Sequence, residues 1–212
     1  MAGVLDHDAR LSQIAVAQHG VFTRAQAIAV GFGVGRVDRR VRAGAWERVL
    51  PRVYRHAAAP RSAAQSRWAA VLWAGPGCAL SHTSAAALWR IGPEMRADDR
   101  VELVVGRARA PRNAIVIVHR LSPVAAGEVI YGDRLPLTAP VRTIIDLAGV
   151  LPAAELEIAL DRARARGLLT VRALRLRLDE IGTAGRPGTA RLRALLAVVG
   201  SGRVNPSARM AG

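Results

Sequence analysis

One stretch constrains the chain more than any other: Val34–Arg55, VGRVDRRVRAGAWERVLPRVYR. Val34, Val37 and Val41 recur at i, i+3 and i+7, which predicts a short helix with one narrow apolar face. Arg36, Arg39 and Arg40 point away from that face, while Arg42 stands at its margin. Gly44 is placed to end the helix in a left-handed cap. Trp46, Val49 and Leu50 then read as a strand, and Pro51 forces a turn before Val53 and Tyr54. The stretch carries seven arginines (Arg36, Arg39, Arg40, Arg42, Arg48, Arg52, Arg55) against two acids, Asp38 and Glu47.

The residues before it supply the helices that such a rod needs behind it. Asp6–His19 reads as a first helix with Leu11, Ile14 and Ala15 on one face, stopped at Gly20. Thr23 and Gln26 have capping-box spacing and open a second short helix, Arg24–Val30, which ends at Gly31. Three helices followed by a basic hairpin predict a winged helix-turn-helix over residues 1–60, with the third helix offered to the DNA major groove. On this reading the DNA-binding residues are Arg36, Arg39, Arg40 and Arg42 on the rod, Arg48, Arg52 and Arg55 on the wing, and Arg24 at the start of the second helix.

The 212-residue length allows one large or two small domains, and 51% hydrophobic residues is enough to build a core. The formal charge is +15, and since lysine is absent every one of the basic residues is Arg. Arginine suits phosphate and guanine edges, but a GC-rich coding sequence supplies it as well. Its concentration beside the helical pattern therefore says more than the total. The single cysteine, Cys78, excludes an intramolecular disulfide and fits a reducing cytoplasm. The N-terminus MAGVLDHDARLS carries acids early and lacks a secretory pattern, and no apolar run approaches a membrane span.

Residues 57–62 (AAAPRS) read as a linker, and residues 61–199 as a mixed α/β second domain ending in several helices, so the fold class expected is α+β. Its first helix, Ala64–Trp73, has Trp68, Val71 and Leu72 on one face. Ala79–Leu80 is a short strand, and Val101–Val105 with Ala114–Val118 is expected as an antiparallel pair. Val129–Tyr131 and Leu135–Leu137 suggest a further hairpin. Helical stripes follow at Val141/Ile144/Ile145/Ala148, Leu156/Leu160/Ala163, Val171/Leu174/Leu178/Ile181 and Leu192/Leu195/Leu196/Val199. Residues 200–212 read as a flexible tail.

The run GVFTRAQAIAVGFGVGRVDRRVRAGAWERVLPRVYR resembles the N-terminal winged-helix domain of AbiEi-family antitoxins of type IV toxin–antitoxin systems. LSHTSAAALWRI, VHRL, LPLTAPVRTIIDLAG and GRPGTARLRALLA resemble the domain that follows it in many actinobacterial relatives, so the likeness covers about residues 8 to 198. The resemblance implies an autorepressor that binds double-stranded promoter repeats and acts in one pathway with a nucleotidyltransferase-like toxin; paired copies are expected because one small module reads few base pairs. Many relatives carry a third, restriction-nuclease-like domain, and this chain stops before one would begin. Gly33 stands where such relatives usually have a Ser or Thr cap.

Little in the sequence supports chemistry. A metal nuclease needs spaced carboxylates and usually a lysine, yet only Asp179 and Glu180 lie beyond Asp161. Cys78 sits in an apolar run, and the five histidines (His7, His19, His56, His82, His119) do not fall at zinc-ligand spacings. No enzyme, no metal and no cofactor is expected. Two other readings compete with the regulator: a truncated or partner-completed restriction-type endonuclease relative, and an interaction module whose basic face meets an acidic protein. Arg142, Thr143 and Asp146 are expected as an internal polar network, and Arg186 and Arg191 as an extension of the DNA footprint.

Overall fold

In the computed structural model, which describes residues 2–106, 113–121, 127–181 and 187–200, the chain starts with helix α1 (Ala2–Ala17), which buries Leu11 and Ala15. Gly20, at φ +90°, turns the chain into β1 (Val21–Thr23), a strand not expected from the sequence because three residues carry no alternation to read. The Thr23 hydroxyl accepts from the Gln26 amide and the Gln26 side chain accepts from the Thr23 amide, closing the expected capping box at α2 (Arg24–Ala29). Gly31 follows at φ +106° against the ring of His7, where a Cβ would overlap it.

Helix α3 (Val34–Arg42) opens on Gly33, which offers no side-chain cap. It closes as a Schellman motif: the Gly44 amide donates to the Val41 carbonyl and the Ala45 amide to that of Arg40, with Gly44 at φ +71°. Strand β2 (Trp46–Leu50) turns through Pro51 and Arg52 into β3 (Val53–His56), pairing Trp46 with His56 and Arg48 with Tyr54. With β1 they form an antiparallel sheet of order β1-β3-β2. Phe22 meets Trp46 edge-on at 4.8 Å and Phe32 lies 5.1 Å from the same ring. Trp46 and Tyr54 are thus core residues. Val34 is not: it is 58% exposed, because it opens α3 and no earlier turn of that helix covers it.

The expected linker is held rather than loose. Arg55 donates to the Ala59 carbonyl, Gln65 to those of His19 and Pro60, and Ser62 caps α4 (Ala63–Ala74). Helix α4 buries Gln65, Ala69, Ala70 and Ala74, leaving Trp68, Val71 and Leu72 only half-buried, so its small residues, not its large ones, face the core. Strand β4 (Cys78–Leu80) precedes α5 (His82–Leu88). Strands β5 (Val101–Gly106), β6 (Val116–Leu121), β7 (Val129–Gly132) and β8 (Leu135–Thr138) join β4 in a sheet of order β6-β5-β4-β8-β7. The expected antiparallel β5/β6 pair is parallel, Val101 facing Val116 and Gly106 facing Leu121. Strand-forming residues at Val101–Val105 and Ala114–Val118 carry no direction, so the pattern alone could not decide between the two pairings. The β7–β8 hairpin is as expected. Its two turn residues, Asp133 and Arg134, both have positive φ, the backbone that a two-residue loop between twisted strands requires.

The structure is therefore mixed α+β, and it divides into two compact units: Met1–Leu80 with Met95–Leu137, and Ser81–Glu94 with Thr138–Gly212. The boundary expected at residue 60 falls inside the first unit. The second unit holds α5, α6 (Pro140–Leu147), α7 (Ala153–Ala165), α8 (Val171–Ile181) and α9 (Thr189–Gly200) around Ile144, Leu147, Leu156, Leu160, Leu174 and Leu192. Of residues 200–212, expected as a tail, Gly200 ends α9, and the rest, like Arg186, lie outside the described residues.

Candidate nucleic-acid interface

Helix α3 and the β2–β3 hairpin carry the arginines that the sequence brings forward, and the core beneath decides which of them stay available. Val37 is fully buried and Val41 partly so, which fixes the roll of α3. Successive residues then step around the helix by about 100°. Arg39 falls opposite Val37 and Val41 and is exposed, as is Arg42, while Arg36 is half-exposed with its guanidinium 5.5 Å from the Phe32 ring centroid. On the hairpin Arg48 is exposed, its guanidinium 6.0 Å from the Tyr54 ring, and Arg52 is exposed in the turn at φ +64°. These rings brace two of the cations without neutralising them. The Arg52 carbonyl also accepts from the Arg24 amide at 2.8 Å, tying the hairpin turn to the start of α2.

Three of the eight expected contact residues are engaged inside the protein. Arg24 is fork-bonded to Asp38, Nη1 to Oδ1 at 2.8 Å and Nη2 to Oδ2 at 3.1 Å, and Nη1 also reaches the Tyr54 hydroxyl at 3.4 Å. That hydrogen bonding holds the Asp38 carboxyl below the usual carboxylate range, helped by Arg42 and Arg48, and holds the Arg24 guanidinium above its ordinary value. Arg40 bonds both oxygens of Asp8, at 3.0 and 2.8 Å, and lies 5.9 Å from the Trp46 ring centroid. The wing role expected for Arg55 is corrected outright. Its side chain is 8% exposed and donates to Glu47 and to the Ala59 carbonyl, because β3 is the central strand of its sheet. Glu47 takes a second guanidinium from Arg61 at 2.7 Å, and its carboxyl is depressed chiefly by the hydrogen bonds from Arg55.

The surface cation set is thus Arg36, Arg39, Arg42, Arg48 and Arg52, with none of the five in an ion pair among the described residues. Sequence reasoning missed the acids that remove the other three. Asp8 lies 32 residues from Arg40 and Asp38 lies 14 from Arg24, so no local spacing announces either pair. A cavity of about 210 Å³ beside β2 and α4 is lined by Arg48, Arg55 and Arg61 together with Glu47, Asp98 and Asp99.

Other singled-out residues have structural positions. Arg142 Nε donates to Asp146 Oδ1 at 2.8 Å with both side chains buried, and Thr143 donates to the Thr138 carbonyl at 2.9 Å, as the internal network required. Arg191, expected in the DNA footprint, instead donates to the Leu151 carbonyl at 2.5 Å. Cys78 is buried. No helix among the described residues is long and apolar enough to cross a membrane.

No family model matches the chain, and no curated protein matches it. Among solved structures, the fold is similar to the crystal structure of the RV2827C protein from Mycobacterium tuberculosis. The TM-score is 0.57 at 20% identity, over 90% of this chain and 76% of that one. A likeness at that identity shows a shared fold.

Proposed function

We propose that this chain is a DNA-binding transcriptional regulator, with residues 1–56 forming a winged helix-turn-helix and α3 as its recognition helix. The observation that carries the reading is the set Arg36, Arg39, Arg42, Arg48 and Arg52, without ion pairs among the described residues, on one helix and its neighbouring hairpin. A helix of this width enters the major groove of B-DNA, and a hairpin beside it follows the flanking backbone. The resemblance to AbiEi-family antitoxins supports the narrower proposal of an autorepressor of a toxin–antitoxin operon. It acts without catalysis, on promoter repeats, as paired copies, because one small module reads few base pairs.

The test is equilibrium binding of the full chain to duplexes from its own promoter region, across a salt series. If four or five arginines meet phosphates, the log–log salt slope is about −4. Arg39→Ala with Arg42→Ala lowers affinity by roughly 100-fold with an unchanged melting curve. Equal affinity in that variant, or retention of an acidic protein in preference to DNA, would remove the proposal.

A further inference from the structure

One feature of α3 works against simple DNA attraction. Asp38 places a carboxylate, 45% exposed, beside Arg39 and Arg42 on the helix that otherwise presents cations. A negative charge there repels every phosphate equally and lowers affinity for all sequences. A clamp between α2 and α3 does not by itself require it, since Ala27, Phe32 and Val37 already join them through the core.

The geometry of the pair suggests what the carboxylate gives in return. Arg24 bonds one lone pair on each oxygen. An ionised carboxylate has about four acceptor positions, so about two are left. The fork also fixes the plane of the group, so little side-chain freedom remains to be lost on contact. Arg24, Arg42 and Arg48 all favour its ionised form. An ionised carboxylate accepts and cannot donate, so guanine O6, guanine N7 and thymine O4 offer it nothing. Only the exocyclic amines of cytosine and adenine do.

We propose that Asp38, oriented by Arg24, reads the N4 amine of a cytosine in the major groove, and that Arg42, one helical turn on, takes the O6 and N7 acceptors of guanine. The assignment rests on the duplex-binding reading above. Cytosine is favoured over adenine because a C·G pair sets the amine beside two acceptors on guanine that match an arginine fork. The Arg42 side chain donates through Nε only weakly to the Asp38 carbonyl, at 3.4 Å, so its terminal nitrogens remain for that role.

The experiment is selection of duplexes from a random-sequence library by the full chain, comparing wild type with Asp38→Asn. Wild type enriches cytosine at one position of each half-site. Asp38→Asn, which both donates and accepts, loses that preference by about 5- to 100-fold while still retaining duplex. The same enriched base in wild type and variant, or adenine in place of cytosine, would overturn the assignment and leave the regulator standing. Failure of wild type to retain any duplex would remove both. Should Asp38→Asn not fold, Asp38→Glu keeps the charge but shifts the carboxylate by one methylene, and an unaltered cytosine preference there also counts against the proposal.

Discussion

The two compact units use the same amino acid in opposite ways. In the second unit arginines are largely consumed as internal fasteners. Arg175, Arg191 and Arg193 donate to the carbonyls of Leu196, Leu151 and Leu178; Arg142 is buried on Asp146, and Arg164 and Arg177 close on acids three residues away. In the first unit Arg36, Arg39, Arg42, Arg48 and Arg52 stand on α3 and the hairpin with no ion pair of their own among the described residues. Arg90, Arg162, Arg166 and Arg172 are also exposed in the second unit, but they are spread from the end of α5 through α7 and its end to α8. The lesson is that a charge of +15 carries little information until each guanidinium is assigned a partner or none. Clustered cations without ion pairs are what the DNA-binding proposal rests on; cations on carbonyls mark helix ends and loops being stitched down.

The sharpest way to break the comparison is to remove a consumed arginine. Arg142→Ala removes the guanidinium that donates to Asp146 Oδ1 at 2.8 Å, in a pair whose two side chains are at most 3% exposed. Breaking such a pair costs about 3–5 kcal/mol. Urea denaturation is expected to show a loss of that size, while any duplex binding by the folded fraction keeps its salt slope. A preserved midpoint would mean that the second unit does not depend on its internal arginines.

Arg55 tests the same division inside the first unit. The sequence places it on the wing; the structure buries it between Glu47 and the Ala59 carbonyl. Arg55→Ala is expected to cost about 1.5–3 kcal/mol, the range for hydrogen bonds to charged groups, with the affinity per folded molecule unchanged. A loss of duplex affinity without a loss of stability would return Arg55 to the surface set.

These two residues also show where the sequence was legible. The three short helices, the Thr23 capping box, the Gly44 cap, the hairpin through Pro51 and the helical stripes of the second unit all follow from spacings of a few residues, which is the range of the forces involved. The roll of α3 was legible from Val37 and Val41, though not the exposure of Val34, because a period does not say where the cover stops. The β5/β6 direction and the fates of Arg24, Arg40 and Arg55 depend on residues brought together by tertiary packing. Asp8, Asp38 and Glu47 are ordinary surface-like acids until the fold closes on them. The arginines were therefore placed on the helix and hairpin that the structure has as α3 and β2–β3, with the engaged ones indistinguishable from the available ones.

A smaller effect sharpens the boundary between engaged and available cations. Asp8→Asn removes the carboxylate that holds Arg40, whose side chain is 36% exposed. The pair sits near the surface and its stability contribution is at most about 1 kcal/mol. Releasing it adds a cation to the α3 surface. The log–log salt slope for duplex binding is expected to steepen by about 0.9, the increment for one more phosphate contact. An unchanged slope would mean that Arg40 is held in place by Trp46, 5.9 Å away, and not by its acid.

The smallest expected effect is a pH dependence confined to the first unit. His56 lies among aromatic rings, 5.4 Å from Phe22 and 6.2 Å from Trp46, and burial pushes its pKa below the ordinary histidine value. Asp8 pulls the other way and Arg40 adds to the depression. The unfolded chain therefore takes up a proton at a higher pH than the native protein does. This contribution to stability is complete above the unfolded histidine value near 6.5 and is lost as pH falls through the lower folded value. His56→Phe fills the same apolar site with a ring that does not titrate, so its stability is expected to vary less with pH below 6.5 than that of wild type. Asp8→Asn removes the upward pull, depresses the folded value further and makes the wild-type trend steeper. Denaturation midpoints at matched ionic strength over that window, giving parallel curves for wild type and His56→Phe, would show that the pH response comes from other groups, with the Asp38 and Glu47 carboxylates the first to examine because both are held below their ordinary range.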